Sequence, residues 1–281
     1  MNYLEKRIKP LIVIPAYNVE NRIEKVLEQL DYYREHTIVI DDGSTDNTFD
    51  IINRFNVKTI RHSTNKGVSC AINSGIDYAL ENGFNAVIMM DADGQHSPKY
   101  LKEFIDGLNK YDMVFGNRFS CLEGIPNTKL ASNTLASCLI KDVFNKYIPD
   151  VTCGYKAFRI NDDLLGKLKN TNNYSIVYEL LNYAIDNELN IGYVRIPAIY
   201  YPSEIWCTKS IEIYSMLDTL KNRERILDTN ISTFMNSVND LKSFDLYIAG
   251  VKFFGFYLKE YESYLIQADL ENIKEFHRGS E

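Results

Sequence analysis

Ala86-Val-Ile-Met-Met-Asp-Ala-Asp-Gly-Gln-His-Ser-Pro98 is the stretch that decides how the rest of the chain folds. Ala86 to Met90 form an apolar run too short for a helix and typical of a strand buried on both faces. The run ends in Asp91 and Asp93, followed at once by Gly94. Residues i and i+2 of a strand point the same way, so the two carboxylates converge just beyond its end. In open α/β sheets that edge is where ligands bind. Paired carboxylates repel unless a cation lies between them, and a hard divalent ion with oxygen ligands is the usual solution. The bland alternative is a polar turn in which Ser97 caps a helix with Pro98 at its first position. A calcium loop is excluded: counted from Asp91, His96 stands where glycine is required and Lys102 where the bidentate Glu belongs.

Outward from this strand, the N-terminal half alternates strand and helix. Leu11 to Ile14 reads as a strand broken by Pro15. Asn18 is placed to cap a helix with the apolar stripe Val19, Ile23, Val26, Leu27 and Leu30. Thr37 to Ile40 is a second strand, running into Asp41-Asp-Gly-Ser-Thr-Asp46. In that turn Ser44 or Asp46 is expected to cap a helix carrying Ile51, Ile52 and Phe55. Val57 to Ile60 follows as a strand, and Asn65-Lys-Gly67 leads into a helix presenting Val68, Ala71, Ile72, Ile76, Ala79 and Leu80. After the Asp91 strand come a helix with Leu101, Phe104, Ile105 and Leu108 and the strand Met113-Val-Phe115. Repeated βα units of this kind imply a mainly parallel sheet with right-handed crossovers.

Composition narrows the chemistry. The 281 residues can bury a sizeable core, and 45% hydrophobic with 25% charged residues is ordinary for a globular protein. A net charge of −7 argues against a nucleic-acid binder. The five cysteines include no Cys-x-x-Cys pair and read as reduced thiols of a cytoplasmic protein. The N-terminus lacks the apolar core of a signal peptide, and no run approaches the ~20 apolar residues that cross a bilayer. No Gly-x-Gly-x-x-Gly follows the first strand and no Gly-x-x-x-x-Gly-Lys-Ser/Thr occurs, which weighs against dinucleotide oxidoreductases and P-loop NTPases. Acidic side chains close the second strand (Asp41, Asp42) as well as the one before Asp91, and such carboxylates can accept hydrogen bonds from a ribose hydroxyl or a base imide.

Six motifs then occur in a recognisable order: Ile14-Pro-Ala-Tyr-Asn18, Ile40-Asp-Asp-Gly-Ser-Thr-Asp46, Asn65-Lys-Gly67, Asp91-Ala-Asp-Gly-Gln-His96, Gly116-Asn-Arg118 and Asp150-Val-Thr-Cys-Gly-Tyr155. Their order resembles that of family 2 glycosyltransferases with the GT-A fold, and most of all the dolichol-phosphate and polyprenyl-phosphate sugar transferase branch. The resemblance covers about residues 9–210. It implies an α/β GT-A domain over 1–210, with a sugar-nucleotide half at 9–118 and an acceptor half at 119–210; residues 211–281 fall outside the resemblance, and their apolar spacing reads as a helical C-terminal extension. It further implies an inverting transfer, without a covalent intermediate, from a UDP- or GDP-linked sugar.

By the same resemblance Pro15, Tyr17, Asn18, Asp41, Asp42, Asn65, Gly67 and Asp91 would hold the nucleotide. Asp91 and Asp93, with Gln95, would hold Mg²⁺ or Mn²⁺ against the diphosphate. Asp150 matches a residue proposed as the base in relatives, with Glu179 as an alternative carboxylate or a partner for Arg159. Arg118, Lys129 and Lys209 match basic positions around an acceptor phosphate. Two departures point elsewhere: Ser203 and Trp206 replace an arginine and a glycine common in relatives, and Lys129 stands where arginine is frequent. A lysine does not grip phosphate bidentately. A hydroxyl of a glycan or glycolipid is therefore the second acceptor, with Trp206 stacking on a sugar face. The two acceptors load different residues, since a hydroxyl needs a base (Asp150) and a phosphate needs cations (Arg118). A third reading is a sugar-nucleotide binding module without catalysis.

Residues 211–281 repeat apolar side chains at helical spacing. The bland reading is a helical cap on the catalytic domain. The sharper one is self-association into a homo-oligomer, or peripheral docking at the inner face of the membrane.

Overall fold

The computed structural model describes residues 7–120, 144–169, 171 and 175–201, with 125, 129, 133, 136, 137, 140 and 141 between them. All of these fall in the first of two units of the chain, Met1–Ile226 and Leu227–Glu281. The expected extension at 211–281, and with it Ser203, Trp206 and Lys209, lies outside the described residues.

The strands are β1 (Pro10–Ala16), β2 (Thr37–Asp41), β3 (Lys58–Arg61), β4 (Ala86–Met89), β5 (Met113–Asn117), β6 (Lys156–Arg159) and β7 (Ile191–Arg195). They form one sheet in the order β3-β2-β1-β4-β6-β5-β7. Only β6 runs against its neighbours, pairing antiparallel with both β4 and β5. The remaining pairs are parallel. The mainly parallel sheet expected from the βα repeats is therefore interrupted: a chain segment from beyond β5 returns and inserts between β4 and β5. Pro15 does not break β1, because its fixed φ suits extended backbone and it keeps register opposite Ile40.

Helices α1 (Ile23–Glu28), α2 (Thr48–Ile52) and α4 (Leu101–Leu108) bury Ile23, Val26, Leu27, Ile51, Ile52, Leu101, Phe104 and Leu108 against Ile12, Ile14, Val39, Ala86, Ile88, Val114 and Ala157 of one sheet face. Helix α3 (Val68–Glu81) covers the other face, where Ala71, Ile72, Ile76 and Ala79 are buried. Gly75 makes that approach close: a Cβ there would lie 2.3 Å from Val13 Cγ1. Two further helices, α5 (Asp162–Leu168) and α6 (Ser175–Asp186), follow β6. Asn73 of α3 reaches this second half, donating to the Leu168 carbonyl (3.0 Å) and Thr171 Oγ1 (3.2 Å).

Strand order reverses at β1, where β2 lies on one side and β4 on the other. The carboxyl ends of β1 and β4 thus border the crevice in which ligands of such sheets bind.

Candidate active site

Three loops meet at that crevice. Asn18, read from sequence as a helix cap, does not cap α1, whose N-cap is Arg22. With φ +51° it instead turns back to the β2 loop. Its N–H donates to Ser44 Oγ (3.0 Å) and its Oδ1 accepts the Thr45 N–H (2.8 Å). Val19 N–H donates to Thr48 Oγ1 (2.8 Å), Glu20 N–H to Asp46 Oδ2 (3.2 Å), and Glu20 Oε2 accepts the Asn47 N–H (3.0 Å). The N-cap of α2 is Asn47, not Ser44 or Asp46, although Asp46 Oδ1 accepts the Thr48 N–H at the start of that helix (2.9 Å). These bonds brace Pro15, Tyr17 and Asn18 against the turn after β2, while the Tyr17 ring stays 44% exposed at the mouth.

Asp41 and Asp42 are both buried, with different duties. Asp41 Oδ1 accepts the Ser44 N–H (3.1 Å) and Oδ2 lies 3.0 Å from Arg61 Nε. Asp42 organises the next loop: Oδ1 accepts the Lys66 N–H (3.0 Å) and faces His62 Nδ1 (2.6 Å), and Oδ2 accepts the Gly67 N–H (2.8 Å). His62 Nε2 continues to Ser74 Oγ of α3 (2.9 Å). This Ser74–His62–Asp42 relay has the connectivity of a hydrolytic triad. Ser74 stands inside α3, however, and Asp42 is engaged by loop amides, so the relay is a brace. Asn65 Oδ1 also accepts the Gly67 N–H (3.0 Å), and Gly67 takes φ +92°, a conformation that favours glycine. Asp42 thus shapes Asn65-Lys66-Gly67. Asp42→Ala is expected to remove the carboxylate that faces buried His62 and accepts the Lys66 and Gly67 N–H groups, lowering the melting temperature as well as donor affinity. Calorimetry with the donor, beside a thermal melt, checks this, and an unchanged melt would mean that Asp42 serves the ligand alone.

Asp91 and Asp93 follow β4, with Asp91, Asp93 and Gln95 all half-buried. Asp93 Oδ1 accepts the Gln95 N–H (2.9 Å). His96, fully buried, fixes the loop from beneath: its Nδ1 lies 3.0 Å from the Asp91 N–H. An amide can only donate, so Nδ1 is the unprotonated nitrogen. Burial lowers the His96 pKa to about 4, which keeps the ring neutral, and its 3.3 Å approach to the Asp91 carboxylate is not an ion pair. Gly154 of the returning segment presses on Asp91, where a Cβ would lie 3.0 Å from Oδ2. Ser97 Oγ accepts the Lys99 N–H at the helical turn opened by Pro98, as the sequence implied.

The segment expected to form the acceptor half departs most from the sequence reading. Asp150 and Arg118 form a buried bidentate pair: Nε donates to Oδ2 (2.8 Å), Nη2 to Oδ1 (2.8 Å), and the Arg118 N–H also to Oδ2 (3.0 Å). Nη2 further donates to Thr152 Oγ1 (2.8 Å), which itself bonds Asn133 Oδ1. Burial alone would raise the Asp150 pKa, but the guanidinium overrides it and holds the carboxyl below its usual value. Asp150 is therefore not poised as a base, and Arg118 is not an uncompensated cation. Arg159 donates to the Leu108 carbonyl (2.6 Å). Glu179 and Lys129 are both helical and half-buried. Tyr201 and Arg22, distant in sequence, stack 4.1 Å apart beside the Asp91 loop, with the Tyr201 hydroxyl against Gly94.

The glycosyl transferase family 2 model matches residues 11–165. The chain belongs to that family. This glycosyltransferase is 32% identical over 215 residues to the UDP-N-acetylglucosamine–dolichyl-phosphate N-acetylglucosaminyltransferase of Methanococcus voltae, covering 67% of this chain and 85% of the relative. It is 25% identical over 217 residues to the polyprenol monophosphomannose synthase of Mycolicibacterium smegmatis, covering 72% and 80%. Its fold superposes on glucosyl-3-phosphoglycerate synthase of Mycobacterium tuberculosis, solved with Mn²⁺, UDP and glucosyl-3-phosphoglycerate, with TM-score 0.60, 19% identity, and 78% and 81% of the chains covered. The GT-A architecture and the resemblance to the polyprenyl-phosphate branch thus hold.

The residues at the end of β4 suit a particular kind of metal. Among the described residues no group of three or more His, Cys, Asp or Glu side chains could hold an ion by itself. His96 is turned to a backbone amide. Two carboxylates and an amide oxygen, half open to the crevice, fit Mg²⁺ or Mn²⁺ completed by phosphate oxygens or water, not a closed zinc site.

Proposed function

We propose that this glycosyltransferase moves a sugar, with inversion, from a UDP- or GDP-linked donor to a lipid phosphate. The observation that carries the acceptor is the Arg118–Asp150 pair. A hydroxyl acceptor needs a base to take its proton, a contribution of ~10²–10⁴-fold. Asp150, the sequence's best candidate, has both oxygens on Arg118. A phosphate monoester is already an anion and needs no base. The names of the two relatives support the same acceptor class.

In this reading Pro15, Tyr17 and the Asp41 loop hold the base and ribose, and Asp42 shapes the Asn65–Gly67 turn beside them. Asp91, Asp93 and Gln95 hold a divalent ion, which when bound stabilises the negative charge growing on the departing diphosphate. His96 sets the Asp91 backbone, and the Arg22–Tyr201 stack narrows the crevice and limits water. No helix among the described residues is long and apolar enough to cross a membrane. The enzyme would meet its lipid acceptor peripherally, from the cytoplasmic side.

The test is transfer from UDP- and GDP-sugars, with Mg²⁺, Mn²⁺ or EDTA, to a polyprenyl phosphate, its dephosphorylated alcohol and simple glycans. Metal-dependent transfer to the phosphate alone is expected. Efficient transfer to the alcohol or a glycan overturns the acceptor, and in that case Glu179 becomes the base to examine.

A further inference from the structure

One buried cation has no place in the scheme above. Lys156 opens β6 and is wholly buried, and its Nζ finds no hydrogen-bond partner among the described residues. It lies 3.9 Å over the Phe115 ring of β5, a contact that attracts an ammonium without satisfying its three donors. Burial draws its pKa down to about 8, so at neutral pH the amine still carries a proton in surroundings that disfavour one. A buried charge of this kind is costly unless paired. Arg118 and Asp150 both act on it, but that carboxylate is already held by the guanidinium through both oxygens.

Register shows where Lys156 stands. It pairs with Met89 of β4, so the same antiparallel ladder carried two residues on sets Gly154 opposite Asp91. Alternation puts Lys156 and Gly154 on one face, with Met89 and Asp91 on that face too. Tyr155 and Ala157 go to the opposite face, in the core under α1, α2 and α4. Lys156 therefore leaves the sheet one two-residue step, about 7 Å, from the strand position against Asp91. That position is Gly154, which carries no side chain to fill the space beside Asp91. The nucleotide loops of β1 and β2 lie on the far side of β4 in the sheet order, so Lys156 belongs to the acceptor side.

We propose that Lys156 is a binding residue for the acceptor's anionic group, its ammonium meeting a phosphate that enters over β6 between the ends of β4 and β5. The inference rests on the phosphate-acceptor reading above and deepens it. Arg118, neutralised by Asp150, shapes the wall of the subsite, and Lys156 supplies the charge that the anion answers.

The experiment titrates methyl phosphate into the full chain in the presence of Mg²⁺ and UDP, comparing wild type, Lys156→Met and Lys156→Arg. Methionine keeps much of the volume and removes the buried charge, so its melting temperature is expected to equal or exceed wild type. Its phosphate Kd should rise roughly tenfold or more, with arginine restoring much of the affinity. Equal affinity in wild type and Lys156→Met, no binding by wild type, or equal loss in both variants overturns the proposal. Lys156-dependent phosphate binding in an enzyme that glycosylates only hydroxyls would leave the inference standing and overturn the lipid-phosphate reading. Lipid-phosphate transfer unaltered in Lys156→Met does the reverse.

Discussion

Asp150→Ala is expected to destabilise the fold by about 3–5 kcal/mol, because it leaves the Arg118 guanidinium buried and uncompensated. For a domain of this size that is a fall in melting temperature of roughly 10 °C. Arg118→Ala should cost a similar amount from the other side, since Asp150 is only 1% exposed and would lose both guanidinium bonds, keeping only the backbone N–H of residue 118 on Oδ2. The two single variants therefore cannot separate a base from a phosphate cation, as their sequence positions had suggested. The informative variant is the double replacement by apolar residues of similar volume, which removes both charges together. It should recover most of the lost stability, and activity should stay low if the pair shapes the acceptor wall.

The pair also has a pH signature. The Asp150 pKa is lowered in the fold, so between its folded and unfolded pKa values the unfolded chain binds more protons. Stability from the pair is complete above the usual aspartate range near pH 4 and is lost as pH falls through the folded value. Thermal melts from pH 7 to 3 should show an acid-sensitive step in wild type that is reduced in the double variant. A wild-type melting temperature in Asp150→Ala, with activity abolished, would show a carboxylate free for catalysis and refute the pairing.

Asp93→Asn carries the other large effect, on rate and not on stability. Asparagine keeps a carbonyl oxygen where Asp93 Oδ1 accepts the Gln95 N–H, so the loop and the melting temperature should be preserved. The lost negative charge should weaken metal binding and lower kcat by ~10²–10³, the scale seen when one preorganised stabiliser of transition-state charge is removed. Steady-state kinetics across a Mn²⁺ titration check this. Wild-type turnover indifferent to EDTA, or a fully active Asp93→Asn enzyme, would overturn the metal assignment.

The βα alternation through β5 and the Asp-x-Asp at the end of β4 were legible in the sequence because both are local. An apolar run, a helical stripe and the i, i+2 geometry of a strand end each show within a dozen residues. The six ordered motifs likewise carried the family. Locality also explains the errors at Pro15 and Asn18. Proline stops a helix but not an extended strand, and a residue that can cap the helix beside it was taken by Thr45, 27 positions away.

What only the tertiary structure decided lies in contacts between distant segments. The reversed strand β6, four residues beginning with a lysine, has no alternation to announce it, and its place between β4 and β5 follows from pairing with both. The joining of Arg118 to Asp150 across 32 positions turned a supposed base and a supposed cation into one neutral unit. Asp42, side by side with Asp41 in sequence, was given a different duty by the arrival of His62, Lys66 and Gly67. Residue type sets what a side chain can donate or accept, and strand register sets which partner arrives to use it. That is why the two carboxylates at the end of β4 could be placed from the sequence, while the pairing of Arg118 with Asp150 came only with the fold.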